Sequence, residues 1–192
     1  MIVTPLASAG RHPVAWKNGG GVTTEIAAAP PGASLEDFDW RVSLATIAAD
    51  GPFSIFPDVD RTLVMHEGGV RLAVAGRDPI DLTPASAPLT FPGDAAITAK
   101  LATPAASVLN VMVRRGQWRA QVKRLEVSGE TGPRMMDHHT LLFVAAGQVS
   151  LAESGLTLEA LDAAHVRHGA GQKLTLRSPS ATVAHLVALF PL

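Results

Sequence analysis

Nowhere in the chain do apolar residues return every three or four positions for long enough to build a helix of ordinary length. Short runs of alternating apolar and polar residues recur instead, closely spaced between Gly, Pro and Asp. This pattern predicts an all-β fold. The clearest runs are Trp40 to Ile47, Arg61 to His66, Val70 to Ala75, Ser107 to Arg114, Trp118 to Val127, Thr140 to Ala145, Val149 to Ala152, Lys173 to Arg177 and Ala181 to Leu189. Seventeen glycines and fourteen prolines suit the many sharp turns such a fold needs. Glu67-Gly68-Gly69 and Ala146-Gly147-Gln148 read as two tight hairpin turns.

The two turn regions repeat one another. Thr62-Leu63-Val64-Met65 recurs as Thr140-Leu141-Leu142-Phe143, and Val70-Arg71-Leu72 as Val149-Ser150-Leu151. Ala102 to Val113 lies over Arg177 to Ala188 without a gap, which predicts a duplicated β unit. Two small barrels in one compact chain follow from this, the alternative being a single sandwich whose strands merely look alike. The division expected is an N-terminal barrel over 1–124 and a C-terminal barrel over 125–192, with Leu125 to Asp137 as the link.

Composition excludes several function classes. Sixteen basic and seventeen acidic residues leave a net charge of −1, too little field to hold a phosphate backbone or an anionic membrane. Without cysteine there is no disulfide, thiolate metal site or cysteine nucleophile, in keeping with a cytoplasmic location. No run of about 18 apolar residues occurs, so no membrane-spanning helix is expected.

Polar residues in apolar surroundings concentrate in the first half. Trp16-Lys17-Asn18-Gly19-Gly20-Gly21 combines three glycines, which let backbone approach a ligand, with a point charge and an amide. It reads equally as a plain turn. In Trp40-Arg41-Val42-Ser43-Leu44 the alternation puts Arg41 and Ser43 on the face opposite Trp40, and an Arg41 turned into a barrel would require an anion. An exposed strand arginine is the plainer alternative. Arg61 opens a strand after Asp60, and Asp94 sits in the turn Phe91-Pro92-Gly93-Asp94, where it can cap backbone N–H groups.

These segments, taken with Val22-Thr23-Thr24-Glu25, Phe38-Asp39, Ala49-Asp50-Gly51-Pro52-Phe53-Ser54, Phe56-Pro57 and Asn110-Val111-Met112, resemble in order and spacing the signature of the HutD/Ves family over residues 12–118. Residues 119–192 match as a second, weakly patterned cupin unit. The resemblance implies a bicupin fold of two β-barrel or jelly-roll-like halves. It also implies a role in histidine utilisation, in which a small anionic metabolite such as urocanate or N-formylglutamate is bound without turnover and the pathway is regulated. Carried over residue by residue, the pocket would draw on Trp16, Lys17, Asn18, Glu25, Trp40, Arg41, Ser43, Arg61, Asp94 and Asn110. The other partner expectations are no nucleic acid, no membrane and room for a homodimer.

Two rival functions stand beside this one. A metal-free cupin isomerase or epimerase would use Glu25 or Asp94 as base and Lys17 or Arg41 to hold substrate charge, and a purely structural protein would keep the polar set as a buried network. The chain has no His-x-His pair of the kind cupin metal sites use. His138 and His139 would point to opposite strand faces, His165 and His168 suit a helix face, and His185 stands alone. No metal and no cofactor are therefore expected. Elemental analysis of protein purified without added metal should find no stoichiometric zinc, iron, nickel or manganese, and one equivalent of any of these would contradict the assignment.

Overall fold

The computed structural model describes residues 1–16, 19–76, 78–132, 139–167, 169 and 172–192, and these divide into two units, one of residues 11–118 and one of residues 1–10 with 119–192. Both are all-β, with no helix among the described residues, as the alternation requires. It follows that no described helix is long and apolar enough to cross a membrane.

The strands in chain order are β1 (Ile2–Leu6), β2 (Pro13–Ala15), β3 (Gly21–Ala29), β4 (Trp40–Ile47), β5 (Gly51–Pro52), β6 (Val59–Glu67), β7 (Val70–Val74), β8 (Ile80–Leu82), β9 (Leu89–Pro92), β10 (Ile97–Leu101), β11 (Ala106–Arg114), β12 (Trp118–Thr131), β13 (His139–Ala146), β14 (Gln148–Leu151), β15 (Leu156–Glu159), β16 (Ala163–Arg167) and β17 (Leu176–Pro191). In the unit of residues 11–118, a six-stranded sheet of order β2-β3-β4-β11-β6-β9 faces a four-stranded sheet of order β5-β10-β7-β8. Alternation on each sheet sends Ala45, Ile47, Leu63, Met65, Phe91 and Val108 from one side, and Val70, Leu72, Val74, Leu82, Ile97 and Ala99 from the other, into a single apolar core. The other unit carries one seven-stranded sheet, in which the 16-residue β17 pairs with β13 along one stretch and with β14 along another. Its core of Leu142, Val144, Val149, Leu151, Ala164, Val166, Ala184 and Leu186 is wholly aliphatic.

Three expectations are corrected. The Gly68 and Gly147 turns are not hairpins: β6 and β7 belong to different sheets, and β13 and β14 each pair with β17 rather than with one another. Both turns are corners, and a Cβ at either glycine would overlap a threonine hydroxyl, that of Thr103 or of Thr182. Residues 125–131 are not a linker but the end of β12, with Leu125 and Val127 packed on the core; 133–137 lie outside the described residues. The boundary at 124/125 also moves, because β1 pairs with β16 and 119–124 continue into β12, so both ends of the chain contribute to one unit.

Counting back from the two corners shows that the repeat is real but one residue out of step with the sequence overlay. The cross-strand pairs Met65–Val108, Leu63–Asn110 and Arg61–Met112 correspond to Val144–Ala184, Leu142–Leu186 and Thr140–Ala188. A one-residue slip exchanges the two faces of a strand, so the overlay of Asn110 on His185 set an inward residue on an outward one. In the true register, Arg61 and Asn110 stand where the other unit has Thr140 and Leu186.

His165 lies on strand β16, not on a helix face, and His168 and His138 are outside the described residues. The His139 Nδ1 and His165 Nε2 atoms are 2.9 Å apart, and the rings stack. Burial first, then the positive charge of His139 and Arg167, pulls the His165 pKa from 6.5 down to about 4. Between those values the folded chain binds fewer protons than the unfolded one, so the stability that depends on neutral His165 is complete above about pH 6.5 and is lost as pH falls toward 4. The melting temperature should therefore drop across that window, and His165→Asn should flatten the drop; His66, also depressed by burial, leaves a residual slope.

Candidate functional site

Residues directly opposite one another on antiparallel neighbours project to the same side of a sheet. On the six-stranded sheet Ser43 of β4 lies opposite both Glu25 of β3 and Asn110 of β11. In the next row of that face, Arg41 lies opposite Met112, Met112 opposite Arg61, and Arg61 opposite Phe91. Two residues the other way the row reads Ala45, Val108, Met65, which is core. The inner face of this unit thus changes along its strands from apolar to polar, and Glu25, Arg41, Ser43, Arg61 and Asn110 share the polar end. Phe38, Val59 and Met112, with Phe56 against them, form the apolar cluster at this end.

Arg61 is the most constrained member. Its side chain is 7% exposed, and its guanidinium carbon lies 5.3 Å from the Phe53 ring centroid and 5.4 Å from those of Phe56 and Phe91. Nη1 donates to the Ser54 carbonyl at 3.1 Å, Nε has no hydrogen-bond partner, and no carboxylate among the described residues pairs with it. Burial pulls its pKa down to about 10, so it remains a cation at neutral pH. Removing such a charge from water costs several kcal/mol, whereas a cation–π contact returns about 0.5 to 2 kcal/mol. The three rings soften that cost without replacing an anion. Ser43 is fully buried and Asn110 is 7% exposed; Ser43 Oγ and Asn110 Oδ1 also lack partners. Buried polar atoms are ordinarily satisfied, and here three without partners share one sheet face.

Arg41 differs in that its Nε donates to Glu25 Oε2 at 2.8 Å. The register of β3 on β4 runs unbroken from Gly21 to Glu25, which lies opposite Ser43, and shifts at a bulge between Glu25 and Ala27.

The remaining expected residues divide. Trp16 packs on the apolar core, and its Nε1 donates to Thr23 Oγ1 at 2.7 Å, while the loop it opens closes through Trp16 N to the Gly21 carbonyl. A Cβ at Gly21 would overlap the Thr46 carbonyl, so this glycine serves strand packing. Lys17 and Asn18 lie outside the described residues. Trp40 is not with the cluster: strand alternation sends it to the face opposite Arg41 and Ser43. Asp94 is exposed and clamped by Arg115, whose guanidinium donates to it at 3.1 and 3.3 Å, to Asp60 at 2.8 Å and to the Val59 carbonyl at 3.0 Å. That hydrogen bond to Arg115 holds the Asp94 carboxyl below its ordinary range. Phe53 and Phe56 lie in the signature segments but were not among the expected pocket residues, and Arg115 was not singled out, because only the turn before β6 sets the two rings against Arg61.

The donor set at the polar end does not fit a metal ion. It holds two guanidiniums and one carboxylate already tied to one of them, and among the described residues no three His, Asp or Glu side chains converge.

Fold and site together define an all-β protein of cupin type in which one unit keeps a cationic polar cluster within its barrel and the other is filled with aliphatic side chains. A family model described as HutD matches residues 8–184, and the chain belongs to the HutD family. It is similar to Protein Ves of Citrobacter koseri, at 34% identity over 145 residues, which is 75% of this chain and 73% of that one. The solved structure of HutD from Pseudomonas fluorescens SBW25 superposes over the whole of both chains with a TM-score of 0.86 at 26% identity. The Escherichia coli pirin YhhW, solved in complex with nickel(II), covers both chains at a TM-score of 0.70 and 12% identity, a likeness of fold alone. Family membership supports a link to histidine utilisation.

The turn behind the cage offers a test. Gly93 N donates to the Val59 carbonyl and the Gly93 carbonyl accepts from Phe56 N, so a Cβ at Gly93 would come within 2.7 Å of the Phe56 carbonyl and 2.9 Å of the Val59 carbonyl. Both obstacles are backbone. Gly93→Ala should therefore cost about 1 to 3 kcal/mol in denaturant unfolding through overpacking, and should loosen Phe56 against Arg61.

Proposed function

We propose that the polar end of the first barrel binds a small anionic metabolite without turning it over, and that through this ligand the chain regulates histidine utilisation in the cytoplasm. The observation that carries the reading is Arg61: a buried cation in a cage of three rings with no carboxylate of its own. A ligand carboxylate would supply the missing charge and accept from the orphan Nε, in a charge-assisted geometry that arginine forms well. Ser43 and Asn110 would meet the polar groups of its other end. Urocanate and N-formylglutamate, both anionic, are the candidate ligands. The isomerase alternative is weaker because the two carboxylates it needs as bases are engaged, Glu25 by Arg41 and Asp94 by Arg115.

Ligand binding should raise the melting temperature. At about a hundredfold excess over the dissociation constant the stabilisation is roughly 2.7 kcal/mol, or roughly 5 to 10 °C for a chain of this size. Arg61→Met should abolish the shift and yet stabilise the ligand-free protein by about 1 to 2 kcal/mol, because it replaces an unpaired buried charge with apolar volume. Arg177→Ala removes an exposed arginine paired with Glu130 in the other unit and should leave the shift intact. A melting temperature unmoved by both compounds at millimolar concentration would end the proposal, and consumption of either in proportion to protein would establish an enzyme instead.

A further inference from the structure

We propose that Glu25 is a specificity-determining residue, a carboxylate of the chain's own that weighs against a second ligand carboxylate and so favours urocanate, which carries one, over N-formylglutamate, which carries two. The inference rests on the pocket reading above and adds the class of ligand. Arg41 and Arg61 flank Met112 in one row of the sheet, on strands two places apart, so their Cα atoms stand about 9 to 10 Å from one another. Two guanidiniums at that separation on one inner face would ordinarily make a receptor for a dicarboxylate.

Glu25 changes this. Its Oε2 accepts from Arg41 Nε at 2.8 Å, and its side chain is 43% exposed against 13% for Arg41. A carboxylate so open to water does not need the pair for its own solvation; the arginine, which is nearly buried, is the member satisfied by it. The unbroken register from Gly21 to Glu25 sets that residue opposite Ser43, on the face of the ligand groups rather than away from them. Arg41 is thus neutralised from within, and Arg61 is not. A ligand bearing a second carboxylate would have to displace Glu25 from Arg41 or lie against it, and like charges at such range repel. Along the row from Glu25 come the unpartnered Ser43 Oγ and then Asn110 Oδ1, which favour an uncharged ligand end carrying an N–H or O–H donor.

The test uses two probes of equal size, N-formyl-L-glutamate and N-formyl-L-glutamine, which differ by one carboxylate replaced by an amide. Titration calorimetry on the full chain should show the monocarboxylate bound more tightly by wild type. In Glu25→Gln, which keeps the side-chain shape, the ratio of the two affinities should move about tenfold toward the dicarboxylate, the size of one charge-assisted hydrogen bond gained. Adding Arg41→Gln to Glu25→Gln should remove that gain, and a ligand-free melt of each variant reports its folding. Clear binding with the same ratio in wild type and Glu25→Gln overturns the role of Glu25 while the pocket stands. Binding of neither probe by either protein overturns the pocket reading and this inference with it.

Discussion

The guanidinium of Arg61 is withdrawn from water by three phenylalanine rings and given one carbonyl in return, and the arrangement of the first unit follows from that imbalance. Phe91 is its cross-strand neighbour on β9, whereas Phe53 and Phe56 come from the segment before β6 and reach the ring of contacts only because the chain turns back there. That turn is held by Phe56 N to the Gly93 carbonyl and by Gly93 N to the Val59 carbonyl, and Arg115 locks its outer side through Asp60 and Asp94. Asp94, which the family resemblance placed in the pocket, therefore acts on the site from behind. It neutralises the cation that braces the turn, and the turn keeps the cage closed.

Comparison of the two units isolates what is peculiar to the site. Both use the same corner, the same central pair of strands and the same in-and-out alternation, so the physics of barrel filling is common to both. Thr140, Leu186 and Ala188 occupy the positions of Arg61, Asn110 and Met112. The second unit fills the space with aliphatic volume, which favours stability. The first leaves polar atoms unsatisfied in the same space, an arrangement that costs stability.

The all-β class, the central strands and the duplication were legible in the sequence because alternation is a local signal: the run from Trp40 to Ile47 coincides with β4. Arg41 and Ser43 sharing a face was legible for the same reason. What escaped was every feature set by pairing. The short strands β2, β5 and β8 have too few residues to show a period, and β3, in which Ile26 is the extra residue of a bulge, breaks alternation where Glu25 sits. The corners looked like hairpins because a glycine turn between two apolar runs is the same string in either case; only the partner strands, β11 and β17, distinguish them. The one-residue error in the repeat has the same origin, since sequence similarity between strands cannot distinguish an inward from an outward residue when both are aliphatic.

The contrast between Arg41 and Arg61 carries the functional argument furthest. Both are strand arginines on the inner face. Arg41 finds a carboxylate in Glu25, and Arg61 finds none among the described residues. The positions shown around the Arg61 guanidinium are not acidic. They hold phenylalanines instead, whose faces attract a cation weakly and cannot neutralise it. An aromatic cage fixes the guanidinium in place and excludes water from it, so that its orientation is set in advance while its full charge stays uncompensated.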